Sequence, residues 1–311
     1  MTAVALCHLA RKANGIEPFD RFISSYEQHG AGVDHDLVII FKGFRGPEEL
    51  EPYRRRLRGH TFEELQIPDD GLDLGAYLAA ARELDQERLC FVNSFSRVLA
   101  DGWLGHLYEA LSQPGIGLVG ATGSWASHRS YGFYLLGAPN VYRRVLGPRA
   151  ESGAAFREAA SSPKMGRIRG AAYAIAGLPK EVVGYPGFPA AHLRTNAFAL
   201  RRALFLEHTQ GSLRSKTAAY QFEAGSAGLT SKVIKSGLGV RLVTRTGESV
   251  APSDWPKVEV FWQGEQSQLM VADNQTETYA RGNQSVRSAL SGFAWGDRSW
   301  SYRPQTKAAV K

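Results

Sequence analysis

The side chains whose types and spacing point to chemistry gather in a few stretches. The first is Asp69-Asp70-Gly71-Leu72-Asp73. Three carboxylates in five positions repel one another unless water, a cation or hydrogen-bond donors compensate them. The second is Asn93-Ser94-Phe95-Ser96, at the end of the apolar run Arg88–Val92. An amide and two hydroxyls can hydrogen-bond a phosphate or a sugar, but they are weak partners for a metal ion. The third is His192-Leu193-Arg194-Thr195-Asn196. The planar fork of Arg194 suits an oxyanion, which marks it for a phosphate contact. His192 fits three roles: metal ligand, phosphate donor, or surface residue. Glu223 is the sole acid of its segment, Phe222–Thr230. On helix physics alone it is a carboxylate favoured by the N-terminus of a following helix.

Hydrophobic periodicity supplies the elements that must position these groups. Ala3–Leu9 reads as a buried parallel strand with His8, Arg11 and Lys12 at its exit. Ile16–Gln28 has helical apolar spacing, Asp36–Lys42 is a second strand, Pro47–Leu57 a helix and Thr61–Ile67 a third strand. Leu74, Tyr77, Leu78, Ala81 and Leu84 form a helical stripe with Asp73 as its expected N-cap. Arg88–Val92 is the fourth strand, and Val98–Leu111 reads as a helix. Gly115–Gly120 matches G-x-G-x-x-G, but it follows a helix and itself becomes a strand, the wrong context for a dinucleotide site. Helical pieces are expected at Val141–Leu146 and Ala154–Ala160, and a helix carrying Leu229, Val233 and Ile234 before the strand Val240–Val243. Strands alternating with helices imply an α/β fold with a mostly parallel sheet flanked by helices. Ligands of such sheets bind outside the carboxyl ends of the strands, where Asn93, Ser94, Ser96, Thr122, Ser124 and Trp125 fall.

At 311 residues and a formal net charge of +7 the chain suits anionic ligands without choosing among them. Its basic residues are scattered, and the densest cluster, Arg54-Arg55-Arg56 with Arg58, reads as a solvated helix face, so no nucleic acid is expected. Cys7 and Cys90 lie in apolar runs and read as buried free thiols of a reduced compartment. Neither a leader nor a membrane span is expected, which points to the cytoplasm. Basic residues near the end, Arg298, Arg303, Lys307 and Lys311, hint at peripheral contact with an anionic inner-membrane surface.

Asp69–Gly75, the Asn93–Ser96 segment, His192–Phe198 and Asp273-Asn274-Gln275-Thr276 with Tyr279 after it stand in an order along the chain that resembles bacterial GT-A-type nucleotide-sugar glycosyltransferases. The resemblance is to family 2 and the rhamnan synthesis F-like branch of polysaccharide synthesis. It covers roughly residues 3–125 and 188–280. It implies a GT-A-like domain over residues 1–280, with a variable acceptor-side insertion near 127–190 and a C-terminal extension over 281–311. It further implies a sugar moved from a nucleoside-diphosphate sugar to a hydroxyl of a glycan or lipid-linked glycan, with inversion. Glu223 would then be the base. His8, Arg11, Asp70, Asp73, Asn93, Ser94, Ser96 and Arg194 would bind the donor. Ser124 and Trp125 would border the acceptor, the indole face suiting a sugar ring. Where such enzymes place the acidic D-x-D pair for manganese or magnesium, this chain has Asn-Ser-Phe-Ser. Either no metal is used, or Asp101, His192 or Asp273 supplies ligands. A catalytically silent nucleotide-sugar binder and a sugar nucleotidyltransferase, with Arg11-Lys12-Ala13-Asn14-Gly15 as its loop, remain open beside this reading.

Overall fold

The computed structural model describes residues 3–127, 184–209 and 215–296. β1 (Val4–Arg11) leads to α1 (Glu17–Gln28), β2 (Asp36–Lys42) to α2 (Pro47–Arg56), and β3 (Glu63–Ile67) to α3 (Asp73–Glu83). β4 (Arg88–Val92) and β5 (Arg97–Val98) precede α4 (Trp103–Ser112), β6 (Ile116–Gly120) and β7 (Gly123–Ser124). The chain resumes at β8 (His192–Leu193), β9 (Ala197–Arg201), α5 (Arg202–His208), α6 (Lys216–Ala224), α7 (Leu229–Lys235) and β10 (Gly239–Val243). It closes with β11 (Ser249–Val250), β12 (Val271–Ala272), α8 (Asn274–Ala280) and α9 (Gln284–Trp295).

Among the described residues the main sheet has eight strands in the order β3-β2-β1-β4-β9-β6-β10-β11. It is the expected α/β arrangement of a mostly parallel sheet flanked by helices. β9 runs antiparallel to both β4 and β6, and β11 is antiparallel to β10. The carboxyl ends of β1, β2, β3, β4, β6 and β10 therefore share one edge with the amino end of β9. Strand parity divides the core in two. Ala5, Cys7 and Leu9 pack with Tyr77 of α3 and Leu229 of α7, whereas Leu6 and Ala10 pack with Phe19 and Phe22 of α1 and Leu104 of α4. Cys7 and Cys90 are buried free thiols on opposite faces.

The expected helix Val98–Leu111 starts later. Val98 pairs with Val271 in the β5–β12 ladder, and the Leu99 amide donates to the Met270 carbonyl at 2.9 Å. Gly102, at φ +72°, then turns the chain into α4. A left-handed residue cannot continue a right-handed helix, and glycine adopts it without steric cost. α9 lays Leu290, Ala294 and Trp295 into the same core as α3, so 284–295 packs as part of the body. The pieces expected at Val141–Leu146 and Ala154–Ala160, and residues 297–311, lie outside the described residues. Among the described residues no helix is long and apolar enough to cross a membrane.

Candidate functional site

The exits of β1 and β2 hold two cations side by side, since Arg11 and Lys42 are register partners. Arg11 forks onto Asp69 at 2.9 and 3.1 Å, which holds that carboxyl below its usual range. Lys42 is fully buried, and its Nζ donates to the carbonyls of Gly71 at 2.5 Å and Leu72 at 3.0 Å. Burial pushes the ammonium down, and the Asp73 carboxylate opposes that shift. Two cations thus staple the aspartate-rich loop to the sheet edge. Gly43 makes room for it: at φ +79°, a Cβ there would stand 2.8 Å from the Asp69 Cβ. Asp73 is the first residue of α3 and not its cap; Leu72 holds the cap position without a side-chain bond. The Asp73 carboxylate still gains from the helix N-terminus. Asp70 is exposed on the loop.

At the β4 exit, Asn93 folds a turn onto itself. Its Oδ1 accepts from the Phe95 amide at 3.0 Å and from the Ser96 hydroxyl at 3.1 Å. That leaves the Asn93 Nδ2 as the side chain's free donor among the described residues. Ser94 Oγ is buried without a partner among the described residues. Across the ladder, Thr122 donates to Asn196 Oδ1 at 2.5 Å, while Asn196 Nδ2 is buried and unpartnered among the described residues.

Arg194 is committed inward. Its guanidinium meets Asp273 at 2.8 Å, reaches Thr122 Oγ1 at 3.4 Å and lies 4.2 Å from the Phe261 ring centroid. Asp273 also accepts from the amides of Gln275 and Thr276, completing a capping box at α8. The pair neutralises itself, so neither the expected phosphate grip of Arg194 nor a cation on Asp273 is what the geometry presents.

Glu223 precedes α7, as expected, but it lies itself in the last turn of α6. The helix dipole disfavours a carboxylate there. Compensation comes from Thr195, whose amide and hydroxyl both donate to Oε2, at 2.8 and 2.5 Å. Oε1 has no hydrogen-bond partner among the described residues. His192 lies nearby and is buried; its Nδ1 donates to the Ala190 carbonyl at 2.7 Å, which leaves Nε2 as an acceptor. Burial lowers the His192 pKa, with Glu223 pulling the other way. The Tyr77 phenol is wholly buried, feels both Asp73 and Glu223, and is unpartnered among the described residues.

Several expected site residues are elsewhere. His8 points into the α1 core, stacked on Phe22 at 3.7 Å, because it lies three residues before the strand end on the opposite parity from Arg11. Trp125 is buried rather than presented to a sugar: its Nε1 donates to the Pro252 carbonyl at 3.0 Å and its ring packs against Trp295 and Phe188. Ser124 donates to the Ala294 carbonyl of α9 at 3.4 Å. Asp101 accepts from the Gly30 amide at 3.1 Å and faces His29 at 3.3 Å. Among the described residues no three His, Cys, Asp or Glu side chains come together to hold a metal ion. The donor set at the β4 exit, amide and hydroxyl, does not fit a divalent cation either.

Lys42 is the residue that sequence reasoning passed over, while Thr122, Thr195 and Asn196 stood in the marked stretches without assigned roles. Lys42 had a signal: it is the lone cation closing the apolar run Leu37–Phe41.

No protein-family model matches this sequence, and no curated protein matches it. Solved structures do match by shape. A mannosyltransferase from Pyrobaculum calidifontis, in complex with GDP-mannose and Mn2+, is 11% identical over 94% of this chain and 69% of its own, with a TM-score of 0.43. A 4-diphosphocytidyl-2C-methyl-D-erythritol synthase from Anaerococcus prevotii is 9% identical over 77% and 86%, at 0.41. Mouse xyloside xylosyltransferase 1 is 11% identical over 77% and 84%, at 0.40.

Proposed function

We propose that this chain is a GT-A-type glycosyltransferase that moves a sugar from a nucleoside-diphosphate sugar to a hydroxyl of a glycan acceptor. The observation that carries the reading is Glu223: a carboxylate at the sheet's ligand edge with one oxygen fixed by two Thr195 donors and the other unengaged among the described residues. A general base needs that combination of fixed direction and a free lone pair. The order of the Asp69–Gly75, Asn93–Ser96 and His192–Phe198 segments along the chain supports the donor side of the reading.

In this mechanism Glu223 Oε1 takes the proton of the acceptor hydroxyl. The oxygen attacks the anomeric carbon from the face opposite the diphosphate. The carbon–oxygen bond to the diphosphate breaks, and the leaving group keeps the electron pair, so the configuration inverts. Asn93 Nδ2 supplies a neutral donor to the diphosphate. Asp73, held near Lys42, orients the donor sugar or ribose, with Arg11 and Asp70 on the same loop rim. The acceptor is a growing bacterial surface glycan, free or lipid-linked, and the domain works in the cytoplasm or against the inner membrane. No step is routed through a metal.

The test is turnover of a panel of nucleoside-diphosphate sugars, with hydrolysis or transfer to simple glycosides as the readout. Glu223→Gln is expected to lower kcat at least ~100-fold while leaving nucleotide affinity unchanged. Full turnover by that variant removes Glu223 from the role. Binding without turnover in the native protein would instead favour a silent nucleotide-sugar binder.

A further inference from the structure

A groove of about 560 Å³ lies between α1, β5 and the turn after β10, and it shares no lining residue with the site above. Its walls carry Arg21, Arg97 and Arg245. Their positive charge is poorly compensated. Glu277 is the common carboxylate of Arg21 at 3.8 Å, Arg97 at 3.5 Å and Arg281 at 3.5 Å. Three guanidiniums thus share one anion at long range, and none of them forks onto it. Arg245 donates to the Leu99 carbonyl at 2.6 Å and has no ion pair among the described residues. The acid of the groove, Asp20, faces Arg56 at 3.8 Å, and His29 faces Asp101 at 3.3 Å. Like charges converging on a concave surface repel, and an anion bridging them relieves the repulsion.

We infer that this groove is a second, phosphate-recognising site, built to take a phosphate or diphosphate group between Arg21, Arg97 and Arg245. Planar guanidiniums bind phosphate oxygens through paired N–H donors, and the groove has room for more than one phosphoryl group. The chemistry is shared by two sources, a soluble phosphate ester and a lipid headgroup.

Two arms of one experiment on the full chain separate these sources. Inorganic pyrophosphate is titrated calorimetrically at low salt, and flotation is measured with vesicles of phosphatidylglycerol and phosphatidylcholine against phosphatidylcholine alone. The Arg21→Gln/Arg97→Gln variant changes side chains that are 50% and 44% exposed, so the fold is retained, as circular dichroism will verify. The expected result is that one probe binds the native protein and that its affinity falls at least ten-fold in the variant, while nucleoside diphosphate affinity is unchanged. Saturable pyrophosphate binding indicates a soluble ligand; binding to the anionic vesicles alone indicates a headgroup. The inference is overturned if neither probe binds the native protein, or if the variant, or Arg245→Gln beside it, binds both as tightly as the native chain.

Discussion

Removing the Asp273 carboxylate tests whether the Arg194–Asp273 pair is the strut of the site's C-terminal wall. The two side chains are 8% and 1% exposed and meet at 2.8 Å. Asp273→Ala does two things at once. It leaves a buried guanidinium without its counter-charge, a loss of about 3–5 kcal/mol. It also deletes the cap of α8, worth about 1 kcal/mol. The expected destabilisation is about 4–6 kcal/mol, a large part of the ~5–15 kcal/mol that holds a typical domain together. Asp273→Asn separates the two effects, because its amide oxygen can still accept from the Gln275 and Thr276 amides; it should lose only about 3 kcal/mol. Combining Arg194→Met with Asp273→Asn removes the stranded cation and should recover stability relative to Asp273→Asn alone. Urea unfolding of the native chain, the single variants Arg194→Met and Asp273→Asn, and the double gives the coupling, expected to exceed ~1.5 kcal/mol. A loss below ~1 kcal/mol for Asp273→Ala, or strictly additive singles, would refute the reasoning.

Two further outcomes follow from buried polar groups. His8 is wholly buried and unpartnered among the described residues, and burial lowers its pKa from 6.5 to about 3. The unfolded chain binds its proton first, so the folded state loses stability as pH falls below 6.5; by pH 4.5 this amounts to about 2–3 kcal/mol. His8→Phe should flatten that limb, and a stability–pH curve of unchanged slope would contradict it. Lys42→Met frees the Gly71 and Leu72 carbonyls and loosens the aspartate-rich loop. If that loop holds the donor, donor KM should rise about ten-fold with kcat changed less, and an equal fall in kcat with KM constant would place Lys42 elsewhere.

The strands were legible because their apolar runs are short, continuous and bounded by polar exits, as at Asp36–Lys42 and Arg88–Val92. The loop at Asp69–Asp73 was legible as a charge anomaly, but its solution was not, since Arg11 and Lys42 lie far from it in sequence. Long-range pairing accounts for most misreadings. Val98 looks helical until β12 pairs with it. Trp125 looks exposed until α9, well over a hundred residues later, covers it. Glu223 was found by type, yet its helix was missed, because the turn Gly225–Gly228 hides where α6 stops and α7 begins. The antiparallel insertion of β9 between β4 and β6 leaves no local trace at all.

The short ladder of β7 and β8, with Gly123 opposite Leu193 and Ser124 opposite His192, has an architectural consequence. The Ala190 amide extends it by donating to the Trp125 carbonyl at 2.9 Å. Together these contacts tie the exit of β6 to the entry of β9, two strands that neighbour each other in the sheet. The β7–β8 ladder therefore fixes where β8 stands, and with it the neighbouring Thr195 that holds the Glu223 carboxylate.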